Sequence, residues 1–325
     1  MNGYLLFLMG GLAAAAGVRI HDFFEGENLL RDIWDEYRIS HTRLDEMDER
    51  WASHPERSEA IVSLTTIPSR LPLIEDTLKS LMRQSRVPAR IHLNVPAFSK
   101  RENCPYVIPE ELRRLKSVEI VASDDWGPAT KLIPTLLSQS ADRMIIVVDD
   151  DRIYPANLVC DLENAARIGP GAAYGFSGWV VPDDLIDRPT TVMSNLLMKS
   201  PAPIRSTRLR RPIPVDVLQG LSGYLVQPRF FDMARVTDYA GAPREAFFVD
   251  DVWISAHCKA DKFVIAASRS SYSPKRRVRF YTRTGLGVIN RGSGSLEARS
   301  NTVMIRHCRK LWRTGGRSVK RYPKS

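Results

Sequence analysis

Of 325 residues only four are cysteine, and no two of them stand at a C-x-x-C spacing. Cys104, Cys160, Cys258 and Cys308 lie far apart in the chain. A zinc ribbon and a disulfide framework are therefore not suggested, and a reducing compartment is the default. Glycine is missing where phosphate-cradling loops require it. The nearest approach to G-x-x-x-x-G-K-[ST] is Gly127-Pro128-Ala129-Thr130-Lys131, which lacks the second glycine and the Gly-Lys pair. The loop after the first strand-like segment reads Thr65-Thr66-Ile67-Pro68-Ser69-Arg70, so a G-x-G-x-x-G fingerprint is excluded there too. Phosphate, if bound, must be held by metal and by basic side chains. No internal repeat and no low-complexity segment occurs. The uncharged apolar run at 4–18 falls slightly short of a full membrane span.

What the chain does have is charge, unevenly placed. The formal net charge is +10, yet residues 269–325 carry sixteen Lys and Arg against one acid, Glu297. That fifth of the chain holds more than the whole excess, while 22–60 is acidic. The pattern describes a local basic surface, not a globally cationic nucleic-acid binder. An apolar content of 43% supports a real core. Four regions follow: an apolar segment at 1–20, an amphipathic acidic helical arm at 21–58, a catalytic-type domain at 59–268 and a basic extension at 269–325. The apolar segment reads either as an anchor or as a signal peptide. Arg19 and Arg31 follow it, which favours an anchor with the body cytosolic; its Leu-Ala-Ala-Ala-Ala stretch would suit cleavage and a secretory or luminal fate.

Within the domain, strand-like runs at 60–64, 91–95, 118–122 and 144–148 alternate with helical patterns at 73–84 and 129–138, and Pro155 opens a further helix. Such alternation predicts an α/β fold, a doubly wound, mostly parallel sheet with flanking helices. The character of the chain changes after 172–179, and later elements are expected as strands at 215–226 and 263–267 and as helices at 229–239, 250–260 and 301–312. The proline-rich stretch 182–214 reads as a long loop or lid on the acceptor side.

The run Met144-Ile145-Ile146-Val147-Val148 meets Asp149-Asp150-Asp151 with no turn residue between. Ligands collect outside the carboxyl ends of strands in open α/β sheets, which is where these aspartates fall. Strand alternation sends Asp149 and Asp151 to one side and Asp150 to the other. Two converging carboxylates form half of a site for a hard cation, with phosphate oxygens completing the shell. The plain alternative is a strand that ends in a solvated acidic turn.

With Val62 to Arg70, Asp125 to Lys131, Val148 to Asp151 with Tyr154 and Pro155, and Phe248-Val249-Asp250-Asp251-Val252-Trp253, the chain resembles the GT-A class of metal-dependent, nucleotide-sugar glycosyltransferases with an Asp-x-Asp motif. The likeness covers about 60–267 and extends to the exostosin-like branch in its acidic run. It implies Mn²⁺ or Mg²⁺ at Asp149 and Asp151, with Asp149 meeting the metal or the ribose. It implies nucleoside contacts from Thr66, Pro68, Arg70 and Asn94, with Lys131 either on the diphosphate or an ordinary first-turn lysine. Asp250 and Asp251 match the carboxylate beneath the acceptor. That group is the general base in inverting members and steadies sugar or acceptor in retaining ones. One of the pair is expected to cap its helix and the other to act, Asp251 being the choice. The partners implied are a nucleoside-diphosphate sugar and a hydroxyl acceptor, a glycan or lipid-linked saccharide.

His307 is the candidate for an additional C-terminal ligand, although a surface or core histidine is the commoner meaning of such a position, and His257 reads as packing. Trp126 and Trp179 could stack on a sugar, whereas Trp253 reads as core. Arg276, Arg277, Arg279 and Arg283 fit a lid, a solvated surface or a patch for an anionic membrane or acceptor, the last being preferred. Two rivals remain in view. One is a nucleotidyltransferase on a related fold, which needs a glycine-rich loop that the chain lacks. The other is a non-catalytic basic protein binding membrane or nucleic acid, which leaves both acidic clusters unexplained.

Overall fold

The β-branched and aliphatic runs become the strands of one eight-stranded sheet in a computed structural model that describes residues 3–286, 290 and 294–312. The strands are β1 (Ile61–Thr65), β2 (Arg90–Pro96), β3 (Val118–Ser123), β4 (Ile145–Val147), β5 (Ala172–Gly175), β6 (Ile213–Val215), β7 (Tyr224–Val226) and β8 (Asp261–Val264). Their spatial order is β6-β8-β5-β7-β4-β1-β2-β3. Pairings β1–β2, β1–β4, β2–β3 and β5–β8 are parallel, while β7 and β6 run against their neighbours. Six of the eight strands therefore point one way, which makes this a mostly parallel α/β sheet.

Both faces are covered, and the alternation of β4 shows how. Ile146 and Val148 enter one apolar cluster with Val62, Leu64, Ile91 and Leu93; Ile145 and Val147 enter the other. The first face is closed by α3 (Leu44–Ala52), α4 (Glu75–Met82) and α5 (Leu158–Ile168); the second by the short helix Ile133–Ser138, α6 (Asp250–His257) and α7 (Ser300–His307). Parallel strands buried on both faces read as continuous apolar runs, which is why they were visible in the sequence.

The N-terminal stretch forms α1 (Gly3–Glu25), α2 (Leu29–Ser40) and α3. Among the described residues no helix is long and apolar enough to cross a membrane. The acidic arm is not free of the domain. Trp51 of α3 is buried in the first core cluster and its indole Nε1 donates to the Pro88 carbonyl at 3.1 Å.

The stretch 172–179 splits at Phe176 into β5 and the strand Ser177–Trp179, which joins Ile204–Arg205 and Val217–Leu218 in a separate three-stranded sheet. Several expectations are corrected. The strand expected at 215–226 breaks at the turn Gly220–Ser222, because Gly223 adopts a left-handed φ of 85°. Of the helix expected at 229–239 only the short α-helix Met233–Val236 forms, capped by Asp232 and preceded by the turn Pro228–Phe230. Within 182–214 the helix Val192–Leu197 forms, with Asn195 and Arg208 against α1, while Asp187 bonds to Arg299, Asn301 and Thr302. Residues 313–325, with five of the basic side chains of the extension, lie outside the described residues.

Candidate functional site

The register of the central strands decides which residues meet. Ile61 pairs with Ile145 and with Arg90, and Thr65 pairs with Asn94, so the carboxyl ends of β1, β2 and β4 finish at one level. A cavity of about 440 Å³ opens there, bounded by Thr66, Arg70, Lys131, Asp149–Asp151 and Asp250–Asp251 among others.

β4 stops at Val147, and Asp149, Asp150 and Asp151 follow it in a turn. Strand alternation therefore does not sort them; nearby cations do. Asp150 accepts from Arg70 Nη1 at 2.9 Å and from the Thr66 hydroxyl at 2.5 Å. Asp151 shares the same Nη1 at 3.2 Å. Asp149 turns the other way, to Lys131 Nζ at 2.7 Å. The expected division, Asp149 with Asp151, is thus replaced by Asp150 with Asp151 around the buried Arg70.

Lys131 is the second centre. Its ammonium lies 2.6 Å from Asp250 Oδ2, 2.7 Å from Asp149 Oδ1 and 3.2 Å from Asp251 Oδ1. The contact to Asp250 is an ion pair without hydrogen-bond geometry, since that oxygen has no hydrogen-bond partner. Burial works against the lysine's charge, but Asp149, Asp250 and Asp251 outweigh it and hold the group well above its ordinary value. This is neither a surface lysine nor one free to reach a diphosphate unaided. The strand residues behind it explain its position. The Ser63 hydroxyl donates to the Lys131 carbonyl at 2.6 Å, and Asn94 Nδ2 donates to Ser63 Oγ at 3.0 Å. Thr135 Oγ1 is within 2.7 Å of Ser63 Oγ and 3.3 Å of His92 Nδ1.

Tyr154 locks the third side. The Asp149 N–H donates to its phenol at 2.7 Å, and the phenol donates to the Gly220 carbonyl at 3.0 Å. The Gly220 N–H in turn donates to Asp251 Oδ1 at 3.1 Å. The acidic turn after β4, the turn before β7 and the start of α6 are therefore one hydrogen-bonded unit around Lys131.

Five carboxylates thus face the two buried cations Arg70 and Lys131; Arg101 and Arg152 on the cavity wall offset part of the remaining negative charge. Burial, together with Asp150, pushes Asp151 up to about 6, despite Arg70. Burial is also the main cause that lifts Asp251, up to about 7, against the opposing pull of Lys131. Among the described residues no three acidic, histidine or cysteine side chains converge as a metal cage. The donor set nevertheless suits a hard cation held by one or two carboxylates with phosphate oxygens completing the shell.

Thr66 and Arg70 line the cavity as expected but spend their hydrogen bonds on the acidic turn. Asn94 is fully buried and lies behind Lys131 instead of on the cavity wall, and Pro68 is likewise absent from that wall. Asp250 and Asp251 open α6 without a side-chain cap bond, so neither acts as the expected cap. His307 is exposed on α7 away from the cavity, and His257 packs on Trp253 at 4.2 Å between ring centres. Trp253 is buried in the core; Trp179 lines the cavity. Trp126 lines an adjoining one of about 630 Å³ with Phe98, Tyr239 and Phe247. Arg276 and Arg277 pair with Asp76 on α4, and the extension reaches the cavity through Ser273, Gly285, Leu286, Asn290 and Asn301 instead. Sequence reasoning missed the Ser63–His92–Thr135 network and Gly220. The available signal for the first was polar residues at every second position of otherwise apolar strands.

No protein-family model and no curated protein matches the chain. Solved structures with a similar course of the chain include 4-diphosphocytidyl-2C-methyl-D-erythritol synthase, 12% identical, covering 64% of this chain and 88% of that one at a TM-score of 0.39. Residues 1–349 of S. aureus TarS are 14% identical, with 77% and 69% covered at 0.39. The 2-C-methyl-D-erythritol 4-phosphate cytidylyltransferase of Francisella tularensis is 10% identical, with 71% and 100% covered at 0.41.

Proposed function

We propose that this chain is a glycosyltransferase that moves a sugar from a nucleoside-diphosphate donor to a hydroxyl of a glycan or lipid-linked saccharide. The observation that carries the reading is the cavity at the ends of β1, β2 and β4, where five carboxylates outnumber the two cations buried among them. Asp149 and Asp151, held by different cations but lining the same cavity, would hold Mn²⁺ or Mg²⁺, which would supply Lewis-acid neutralisation of the departing diphosphate. Arg70 keeps Asp150 and Asp151 oriented, and Lys131 does so for Asp149 and Asp251. Asp251 takes the acceptor proton. Lys131 and the Gly220 N–H both engage its Oδ1, which among the described residues leaves Oδ2 for that proton. The neighbouring aromatic cavity supports a saccharide acceptor, because ring faces suit the apolar faces of sugars.

The test begins with thermal shift of the full chain against a panel of nucleoside diphosphates, with and without Mn²⁺, since ligand binding to the native state raises the melting temperature. One nucleotide is expected to give a metal-dependent rise that Asp151→Ala abolishes. No rise with any nucleotide overturns the proposal. With the matching triphosphate and sugar phosphate, release of pyrophosphate in place of nucleoside diphosphate would assign nucleotidyl transfer instead.

A further inference from the structure

Two helices on one side of the molecule, α2 and Val192–Leu197, turn most of their apolar residues outward. A helix on a globular protein normally buries its apolar stripe and exposes its polar one. In α2 the residues Leu30, Ile33, Trp34 and Tyr37 stand at i, i+3, i+4 and i+7, a single stripe, and all are exposed, Leu30 by 70% and Trp34 by 61%. The side turned to the protein carries Asp32 and Glu36, both buried, Asp35, which is ion-paired to Arg83, and one buried apolar residue, Ile39. The helix Val192–Leu197 repeats the inversion. Val192 is 75% and Met193 62% exposed, while Ser194 is buried in its capping box with Thr191.

These surfaces adjoin one another. Asn195 Nδ2 donates to the Phe24 carbonyl at 3.5 Å, and the Arg208 guanidinium lies 4.2 Å from the Phe23 ring centre. Thr207 Oγ1 donates to the Gly26 carbonyl at 3.4 Å, at the joint between α1 and α2. α1 extends the same surface: residues 7–17 are uncharged and exposed throughout. Apolar area on this scale in three touching helices marks an interaction surface.

We propose that this face lies on a lipid bilayer with anionic headgroups, entering one leaflet without crossing it. The charge around it selects that occupant. Residues 191–214 contain five Lys and Arg and no acid, and Lys199, Arg210 and Arg211 are exposed. Arg19 and Arg38 are exposed on α1 and α2. Basic side chains beside an apolar helical face, with aromatics on that face, are the composition of in-plane membrane binding. The length of α1 agrees. Its uncharged run of sixteen residues at 3–18 spans about 24 Å, against about 30 Å of bilayer hydrocarbon. The docked face is also fixed to the site, because Glu27, beside α2, pairs with Lys275 and approaches Arg152, the residue after the acidic turn. None of this depends on the transferase reading.

The test is sedimentation of the full chain with unilamellar vesicles of phosphatidylcholine alone and of phosphatidylcholine mixed equally with phosphatidylglycerol. Wild type is expected to pellet with the mixed vesicles. The variants Val192→Glu/Met193→Glu and Ile33→Glu/Trp34→Glu are each expected to lower the partition coefficient by about tenfold or more, at an unchanged melting temperature. Wild type left in the supernatant of both vesicles, or variants that pellet as wild type does, overturns the proposal. So does a wild-type dimer that both variants dissociate, which would show that a second copy covers this face.

Discussion

At Gly220 the limit is space, not backbone freedom. A Cβ built there would stand 2.4 Å from Lys131 Nζ and 2.7 Å from Asp149 Oδ1. Both atoms are tips of side chains, but each is held by other partners in the same cluster, so neither can give way alone. Gly220→Ala is therefore expected to lower stability by about 1–3 kcal/mol, as overpacking does, and to weaken the metal-dependent nucleotide shift. Denaturant titration and thermal shift read the two effects separately. Asp251→Asn tests a different claim at the same scale. It retains shape and the acceptor role toward the Gly220 N–H but cannot take a proton. Nucleotide binding is expected to persist while kcat falls by about 10² to 10⁴. In the wild type kcat is expected to rise with pH through about 7, because burial keeps Asp251 protonated below that point. Measured turnover against pH, on both proteins, checks the assignment. A profile unchanged by the substitution would remove Asp251 from the role of base.

Among elements, the least expected is α3. Its composition marked it as part of a stalk, yet Met47 and Trp51 close one face of the sheet, and Asp48 accepts from the Lys116 and Ser117 N–H groups. Trp51→Ala should cost about 3–5 kcal/mol, the usual loss for a large buried aromatic. A chemical-denaturation midpoint within error of wild type would return α3 to the status of a stalk. Of the strands at the sheet centre, β4 was legible because burial on both faces favours an unbroken apolar run, while β1 and β2 were legible from the apolar residues that alternate with Ser63, His92 and Asn94. β7 was not legible as a separate strand. Its place between β4 and β5, antiparallel to both, depends on where the chain returns from the turn at Gly220. Likewise the break at Phe176 depends on a second sheet that pairs with only the latter half of the segment.

For the whole molecule, buried acids set the pH response. Asp32 is raised to about 6, chiefly by burial, and Asp151 and Asp251 are raised as well. Between the ordinary carboxylate range and about pH 7 the folded chain holds protons that the unfolded chain has released. Raising pH through this window therefore favours unfolding, and the stability these groups contribute is lost. Melting temperature is expected to fall from about pH 4 to 7, and Asp32→Asn should flatten the lower part of that slope. A melting temperature that instead rises across the window would show other groups in control. The sequence by itself determined the alternating strands and helices, the acidic turn that ends β4 and the paired aspartates that open α6. These depend on local periodicity and on residue type, which neighbours in the chain express directly. Only the tertiary structure decided which acid faces which base. Arg70 and Asp150 are eighty positions apart, and Lys131 and Asp251 one hundred and twenty. Their pairing follows from strand register and from Coulomb attraction inside a buried cavity, and neither is written into any local pattern.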